Sequence, residues 1–387
     1  MFSIETIKEI KDLASEINVN REKVKKIFVE RLEINAPELL HIFHQILQKS
    51  GKSKISLIQA VYTVAMQIEH LDRFVPTVMQ VAHKHRSLGI QPEHYLIVRE
   101  HLTASIREAL GERATEQGIA ALQLAYNRLA DVFIQVEKDL YQGVELEGGW
   151  RLFKPFRILN KELKNNGAMV IRIVPLDGKV VPVIDTGKYV SVQMKIANET
   201  YFSNNQYAVS EEKELDGYVL TLYPSPTLYM SDLVTDYLLD VAAEGDLLEV
   251  SAPAGLFVLK KTDNPIVFIS EGIGAATLKH LVDSLEDDIG NTITYIQYAK
   301  NQEVSIYKEA LQQKMKSFKN GKYEICYQDH YGESELSILP KIAQQKNAEI
   351  YLCGSKLFMD EIVKQLHKKN DHKIQIHRTF FDSTLFL

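Results

Sequence analysis

Cysteine is scarce in this chain: there are 2 in 387 residues, and Cys326 and Cys353 form no CxxC pair. That excludes a disulfide framework and a cysteine zinc site, and it suits a reducing, cytoplasmic setting. Each reads as a small buried strand residue rather than a nucleophile. Basic charge is also short, with 45 Lys and Arg against 51 Asp and Glu and a formal net charge of −6. A nucleic-acid binder carries a basic surface, so this balance argues against one. No apolar run approaches the length that spans a bilayer. Met1-Phe2-Ser3-Ile4-Glu5 leads directly into a charged helical pattern, so no secretory leader is expected. Repeats and low-complexity segments are missing too. What is present, 45% hydrophobic and 25% charged residues, is ordinary for a globular chain long enough for two or three domains.

Residues 1–142 read as helix throughout, with Gly and Pro confined to punctuation. Pro37 opens a new turn, Ser50-Gly51-Lys52-Ser53 is a loop, and Pro92 stands in the first turn of a helix. A long last helix is expected from Gly118 to about Tyr141. From 150 to 259 the period changes to two, as in Met169-Val170-Ile171-Arg172-Ile173-Val174, and turn signals multiply. Short strands of this kind predict an antiparallel barrel or sandwich, with one short helix at Val234–Ala243. From 262 to 387, apolar runs such as Pro265-Ile266-Val267-Phe268-Ile269-Ser270 alternate with helical segments, which predicts a parallel α/β sheet. Within it, Gly272-x-Gly274 lies between a strand and a helix and suits the approach of a phosphate to a helix N-terminus. Tight turns use the same glycines. Cys353-Gly354, after a later strand, belongs to the same sheet edge.

Three polar residues interrupt apolar helix faces. Val78, Val81 and His85 share a stripe, while His83 points nearly the opposite way. Tyr95 shares a face with Val98, Leu102 and Ile106, and Glu137 with Ala130, Phe133 and Leu140. An inward carboxylate is uncommon because it costs several kcal/mol or shifts its pKa unless paired. A His, a Tyr and a carboxylate so placed can form a hydrogen-bonded proximal ligand system for a haem iron. Three separately satisfied core residues would give the same pattern.

The order of parts resembles a flavohaemoglobin, essentially end to end. The resemblance is densest in Pro37-Glu38-Leu39, Ala82-x-Lys84-His85, Pro92-Glu93-x-Tyr95, Val132-Phe133-Ile134-x-x-Glu137, Gly148-Gly149-Trp150, Thr186-Gly187-Lys188-Tyr189, Gln206-Tyr207, Ala252-Pro253-Ala254-Gly255 and Tyr351-Leu352-Cys353-Gly354. It implies a multidomain chain: an all-α globin domain (1–142), an antiparallel β-barrel of the ferredoxin-reductase type that binds FAD (150–259), and an α/β parallel-sheet NAD(P)-binding domain (262–387). It implies that His85 ligates haem b, with Tyr95 and Glu137 behind it. Phe43 then stacks on the haem rim, Lys84 lies between haem and flavin, and Leu57 lines the pocket. The implied reaction is dioxygenation of nitric oxide to nitrate, with electrons passing from NAD(P)H through FAD to haem.

Several positions depart from the family pattern. Val29 replaces a distal Tyr that donates a hydrogen bond to O2, and Ser53 replaces a distal Gln. Losing such a bond weakens O2 retention by roughly ten- to hundredfold, unless Tyr62 or Ser53 compensates. The flavin motif R-x-Y-S reads Asn205-Gln206-Tyr207-Ala208 here, which keeps Tyr207 and loses the phosphate-pairing Arg. Ser231 survives in the second phosphate segment, without its glycines. Tyr189 is a further cofactor-binding position. Gly272-Ile273-Gly274-Ala275-Ala276-Thr277 lacks the Pro of G-x-G-x-T-P. Phe381 matches an aromatic over the flavin, and Thr379 stands in place of a Glu. Two functions are therefore expected in competition. One is a cytoplasmic haem oxidoreductase of this family, weakened by these changes. The other is a gas-binding or sensing protein whose reductase half lacks flavin. O2, NO and CO are the expected ligands, with a lipid or small hydrophobic molecule as a further occupant of the distal pocket, and a monomer is expected.

Overall fold

A computed structural model of the chain describes residues 2–39, 57–70, 75–163, 169–196, 202–212, 216–222, 233–272, 274–299, 305, 307–327, 346–368 and 374–380. The N-terminal helices are α1 (Ile4–Val19), α2 (Arg21–Asn35), α3 (Leu57–Met66), α4 (Val75–Ser87), α5 (Pro92–Leu110) and α6 (Glu116–Leu146). Helix α1 starts where the Ser3 side chain accepts the Thr6 N–H at 3.0 Å, which satisfies one of the donors left over at a helix start. Its buried residues, Ile10, Leu13, Ala14 and Ile17, recur at helical spacing and form one stripe. Truncating the fully buried Ile17 to Ala costs about 2–5 kcal/mol. Thr115 caps α6 in the same way, accepting from Gly118 N at 3.0 Å.

Helix α6 runs past the expected Tyr141 end to Leu146. Gly143 costs the helix about 1 kcal/mol without stopping it. The stop comes at Gly148, whose φ of 81° takes the chain out of the helix while Gly149 N donates to Val144 O at 2.8 Å.

A closed barrel follows, ordered β1–β2–β5–β4–β3–β6. Its strands are β1 (Phe153–Leu163), β2 (Met169–Pro175), β3 (Tyr189–Met194), β4 (Ser203–Glu212), β5 (Gly217–Leu222) and β6 (Leu247–Ser251). All pairings are antiparallel, and closure leaves no free edge. Alternate residues such as Phe156, Ile158, Ile171, Ile173, Val190 and Val192 fill the interior. Trp150 enters this core and donates its indole N–H to Val250 O at 2.9 Å. The short helix α7 (Leu233–Asp240) seals the barrel with the fully buried Val234 and Leu238.

The C-terminal unit is a five-stranded parallel sheet. It has β7 (Ile266–Glu271), β8 (Ile293–Ala299), β9 (Gly321–Tyr327), β10 (Glu349–Gly354) and β11 (Gln375–Phe380), ordered β11–β10–β7–β8–β9. Alternating strand residues serve opposite faces. Phe268 and Tyr295 pack under α8 (Gly274–Asp283) and α9 (Lys308–Ser317), whereas Val267 and Ile269 pack under α10 (Lys356–Lys368). Two elements, α9 and β11, carry no clear periodicity. Helix α9 buries only Leu311 and Met315, and β11 is a sheet edge with His377 and Arg378 in its middle. Among the described residues, no helix is long and apolar enough to cross a membrane.

Candidate haem and electron-transfer site

His85 lies in the last turn of α4, on a face packed with Val78, Val81 and Phe133. Its Nδ1 is 2.7 Å from Oε1 of Glu137 and 2.9 Å from the Tyr95 hydroxyl. Tyr95 donates to the same Glu137 oxygen at 2.5 Å. Helices α4, α5 and α6 thus bring the three residues together. Glu137 is 3% exposed, so its carboxyl oxygens are satisfied by protein donors rather than by water. Burial, and next the neighbouring Glu137 charge, push the Tyr95 phenol well above its ordinary pKa. Tyr95 therefore stays protonated and acts as a donor. With Nδ1 against a carboxylate, the imidazole is held in the tautomer that directs Nε2 towards a ligand. The Phe133 ring, 5.4 Å from the imidazole centroid, fixes its tilt.

Of the other haem-pocket positions, Val29 is half-buried on α2, and Leu57 packs half-buried against the helical core. Phe43 and Ser53 lie outside the described residues. Lys84, which could have been a solvated helix lysine, is only 8% exposed.

Residues after His85 stitch the helical unit to the barrel. The Ser87 hydroxyl is 3.0 Å from Ser191 Oγ and accepts from Gln206 Nε2 at 3.1 Å. The Arg86 guanidinium donates to Pro253 O and, at 3.5 Å, to Ala252 O. Gly255 N donates to Nδ1 of His83 at 3.3 Å, so His83 does face away from the His85 stripe, onto the barrel. Burial, then the charges of Arg86 and Lys188, lower His83 to about 4. Burial pushes the Tyr189 phenol up to about 12, although Ser87 and Arg86 pull the other way. Sequence reasoning missed Arg86 and Ser87 because polar residues in a last helical turn ordinarily face water. The one signal was the short run Ala252-Pro253-Ala254-Gly255, whose first two carbonyls meet Arg86 and whose Gly255 N–H meets His83.

Gln206 thus reaches the helical unit, whereas its neighbours turn to the barrel's own helix. Asn205 Nδ2 donates to Thr235 Oγ1 at 3.1 Å, and the Tyr207 hydroxyl is 2.9 Å from the same oxygen. Thr235 is in the first turn of α7. Ala208 pairs with Tyr189 across β4 and β3. Ser231 and Phe381 lie outside the described residues. Asn205, Thr235 and Tyr207 are themselves neutral, and Asn205 supplies no cation for a phosphate.

At the carboxyl edge of the parallel sheet, Gly272 and Gly274 follow β7, and Cys353 and Gly354 close β10. A Cβ at Gly274 would fall 2.2 Å from Cys353 O, so only glycine lets helix and strand approach this closely. Cys353 is fully buried, and burial pushes its thiol pKa well up, which leaves it unreactive. Its Sγ meets Thr379 O at 3.5 Å, which puts Thr379 on the adjacent edge strand.

The family pattern described as Globin matches residues 30–133. The flavohemoprotein of Halalkalibacterium halodurans is 33% identical over 377 residues, covering 93% of this chain and 92% of its own. That of Bacillus subtilis is 32% identical over 402 residues, covering 100% and 99%. Among solved structures, the flavohemoglobin of Malassezia yamatoensis, crystallised with bound FAD and heme, superposes with a TM-score of 0.77 at 21% identity. That match covers 97% of this chain and 99% of the other, and it carries the likeness of fold across the helical, barrel and parallel-sheet units alike.

Proposed function

The chain belongs to the flavohaemoprotein family and is an oxidoreductase, and from that premise we propose that it converts nitric oxide and O2 to nitrate at the expense of NAD(P)H. In this reading residues 1–142 hold haem b, 150–259 hold FAD and 262–387 take the nicotinamide nucleotide. The observation that carries it is the convergence of His85 Nδ1 and the Tyr95 hydroxyl on one buried oxygen of Glu137. A core histidine that needed only a partner would not require a buried carboxylate plus a second donor, whose desolvation is expensive.

The residues present fit haem. Glu137 takes the Nδ1 proton's hydrogen bond, orients the ring and makes the opposite nitrogen more basic towards iron. Tyr95 holds the carboxylate in place. Haem supplies the iron at which gas is taken up, and FAD relays electrons to it from NAD(P)H. The chain's own contribution is alignment: Arg86 and Ser87 lock α4 against the barrel, which fixes the spacing of the two units. Val29 offers no hydroxyl from α2, so gas retention relies on other pocket residues, and O2 is expected to leave faster than where a Tyr donates.

A second reading is favoured by one observation. Asn205 and Tyr207 are engaged with Thr235, and position 205 carries a neutral amide where the family pattern has a cation. A chain that retains haem but not flavin would bind O2, NO or CO without turnover. Absorbance of the purified protein separates the two. Haem with stoichiometric flavin reducible by NADH, followed by nitrate formation in proportion to NADH consumed, supports the enzyme. Haem alone, even after incubation with excess FAD, supports the gas-binding protein.

A further inference from the structure

The carboxyl edge of the parallel sheet, where ligands of open α/β sheets dock, carries a fixed negative charge. Glu271 is the last residue of β7, directly ahead of Gly272. Its Oε2 accepts the backbone N–H of Ser355 at 2.8 Å. Ser355 stands immediately before α10, and its own hydroxyl accepts from Phe358 N at 3.3 Å. The glutamate therefore bridges the two turns, after β7 and after β10, that form this end of the sheet. It is half-buried and stands close against Gly354: a Cβ at Gly354 would fall 2.8 Å from Glu271 Cβ and 3.3 Å from its Oε2.

We propose that Glu271 is a specificity-determining residue of the nucleotide site. Its carboxylate stands directly ahead of the Gly272-x-Gly274 turn, occupies a backbone N–H of the adjoining turn, and so weakens phosphate-bearing nucleotides selectively. The proposal rests on the reading of residues 262–387 as the nucleotide unit.

Two physical effects act in the same direction. A main-chain N–H at the start of a helix is a natural donor to a phosphate oxygen, and here it is already committed to an internal anion. A phosphate brought to the same turn also meets a like charge a few ångströms away, which in a half-exposed site is worth about tenfold in affinity. A nucleotide must swing the Glu271 side chain aside before its diphosphate can settle. An uncharged fragment such as adenosine does not meet this penalty. Cys353 and Gly354 stay available as backbone walls, so the cleft keeps its shape while its electrostatics are altered.

The test is titration calorimetry on the haem-loaded full chain, comparing native protein with Glu271→Gln and Glu271→Ala. The probes are NADH, NADPH, ADP-ribose and adenosine. The expected result is a fall of about tenfold in Kd for NADH, NADPH and ADP-ribose in Glu271→Ala, with no change for adenosine. Glu271→Gln, which keeps the size and the acceptor but not the charge, is expected to show a smaller fall in the same direction. The gain should shrink at high salt, where the repulsion is screened. Measurable NADH binding with equal Kd in all three proteins overturns the role of Glu271 and leaves the nucleotide reading standing. No binding of NADH, NADPH or ADP-ribose by any of the three overturns both.

Discussion

Glu137 sets its Oε1 2.7 Å from Nδ1 of His85, and both side chains are buried. The pair is held from different helices, so its geometry survives rotamer freedom in neither partner. In Glu137→Gln the imidazole loses its anionic acceptor. Haem is expected to stay bound, the reduction potential to rise, and nitric oxide turnover to fall about 10–100-fold. Tyr95→Phe leaves the carboxylate in place and should do less. Spectroelectrochemistry and nitrate assays check this; a Glu137→Gln protein with native potential and turnover would refute the role.

Removing the imidazole itself is a harsher change. His85→Ala is expected to lose the Soret band and the haem stoichiometry while far-UV circular dichroism keeps the helical signal. If haem remained stoichiometric with an unshifted Soret band, iron ligation by His85 would be wrong.

The flavin site should respond to a restored cation. Asn205→Arg places a guanidinium beside the first turn of α7. A charge-assisted hydrogen bond is worth about 1.5–3 kcal/mol, so FAD is expected to bind at least tenfold more tightly. Fluorescence titration of the flavin-depleted protein measures this, and an unchanged Kd would count against phosphate binding near Thr235.

One pH dependence follows from the seam between barrel and parallel sheet. His280 Nε2 on α8 lies 3.3 Å from Val209 O on β4, and burial lowers its pKa. A depressed histidine pKa means that the unfolded chain binds the proton more readily. Stability should then be full above the unfolded value of about 6.5 and fall as pH drops below it. Thermal midpoints of native protein between pH 7.5 and pH 5 should show that slope, and His280→Gln should flatten it. An identical slope in the variant would assign the dependence elsewhere.

The junction behind His85 can be tested separately. Arg86 is 2% exposed and serves two carbonyls of the Ala252–Pro253 turn. In Arg86→Ala those carbonyls lose a buried donor, a loss of about 1–3 kcal/mol. Proteolysis between α6 and β1 should accelerate, and heme reduction by NADH should slow if the two units loosen. Native rates of both would show that Arg86 does not couple them.

Much of this architecture was legible in the residues. The change from helical period to period two near 150, and then to continuous apolar runs near 265, marks the helices, the barrel and the parallel sheet, because burial on one stripe, one face or both faces demands those periods. His85, Tyr95 and Glu137 stood out because polar groups on apolar stripes need partners. Helix α9 and strand β11 did not stand out, since an edge or a thin covering helix buries too little to impose a pattern. The extent of α6 was hidden by Gly143, a residue that helices tolerate when neighbouring turns are packed.

The chain by itself determined which residues had to be inside, and hence its helices, barrel and sheet, because periodicity of burial is a local property of sequence. Only the tertiary structure decided the pairings between separate elements: Glu137 with His85, Ser87 with Ser191 and Gln206, Glu271 with Ser355. Each joins residues far apart along the chain, and the distance between such groups is set by packing of whole elements, which no local pattern encodes.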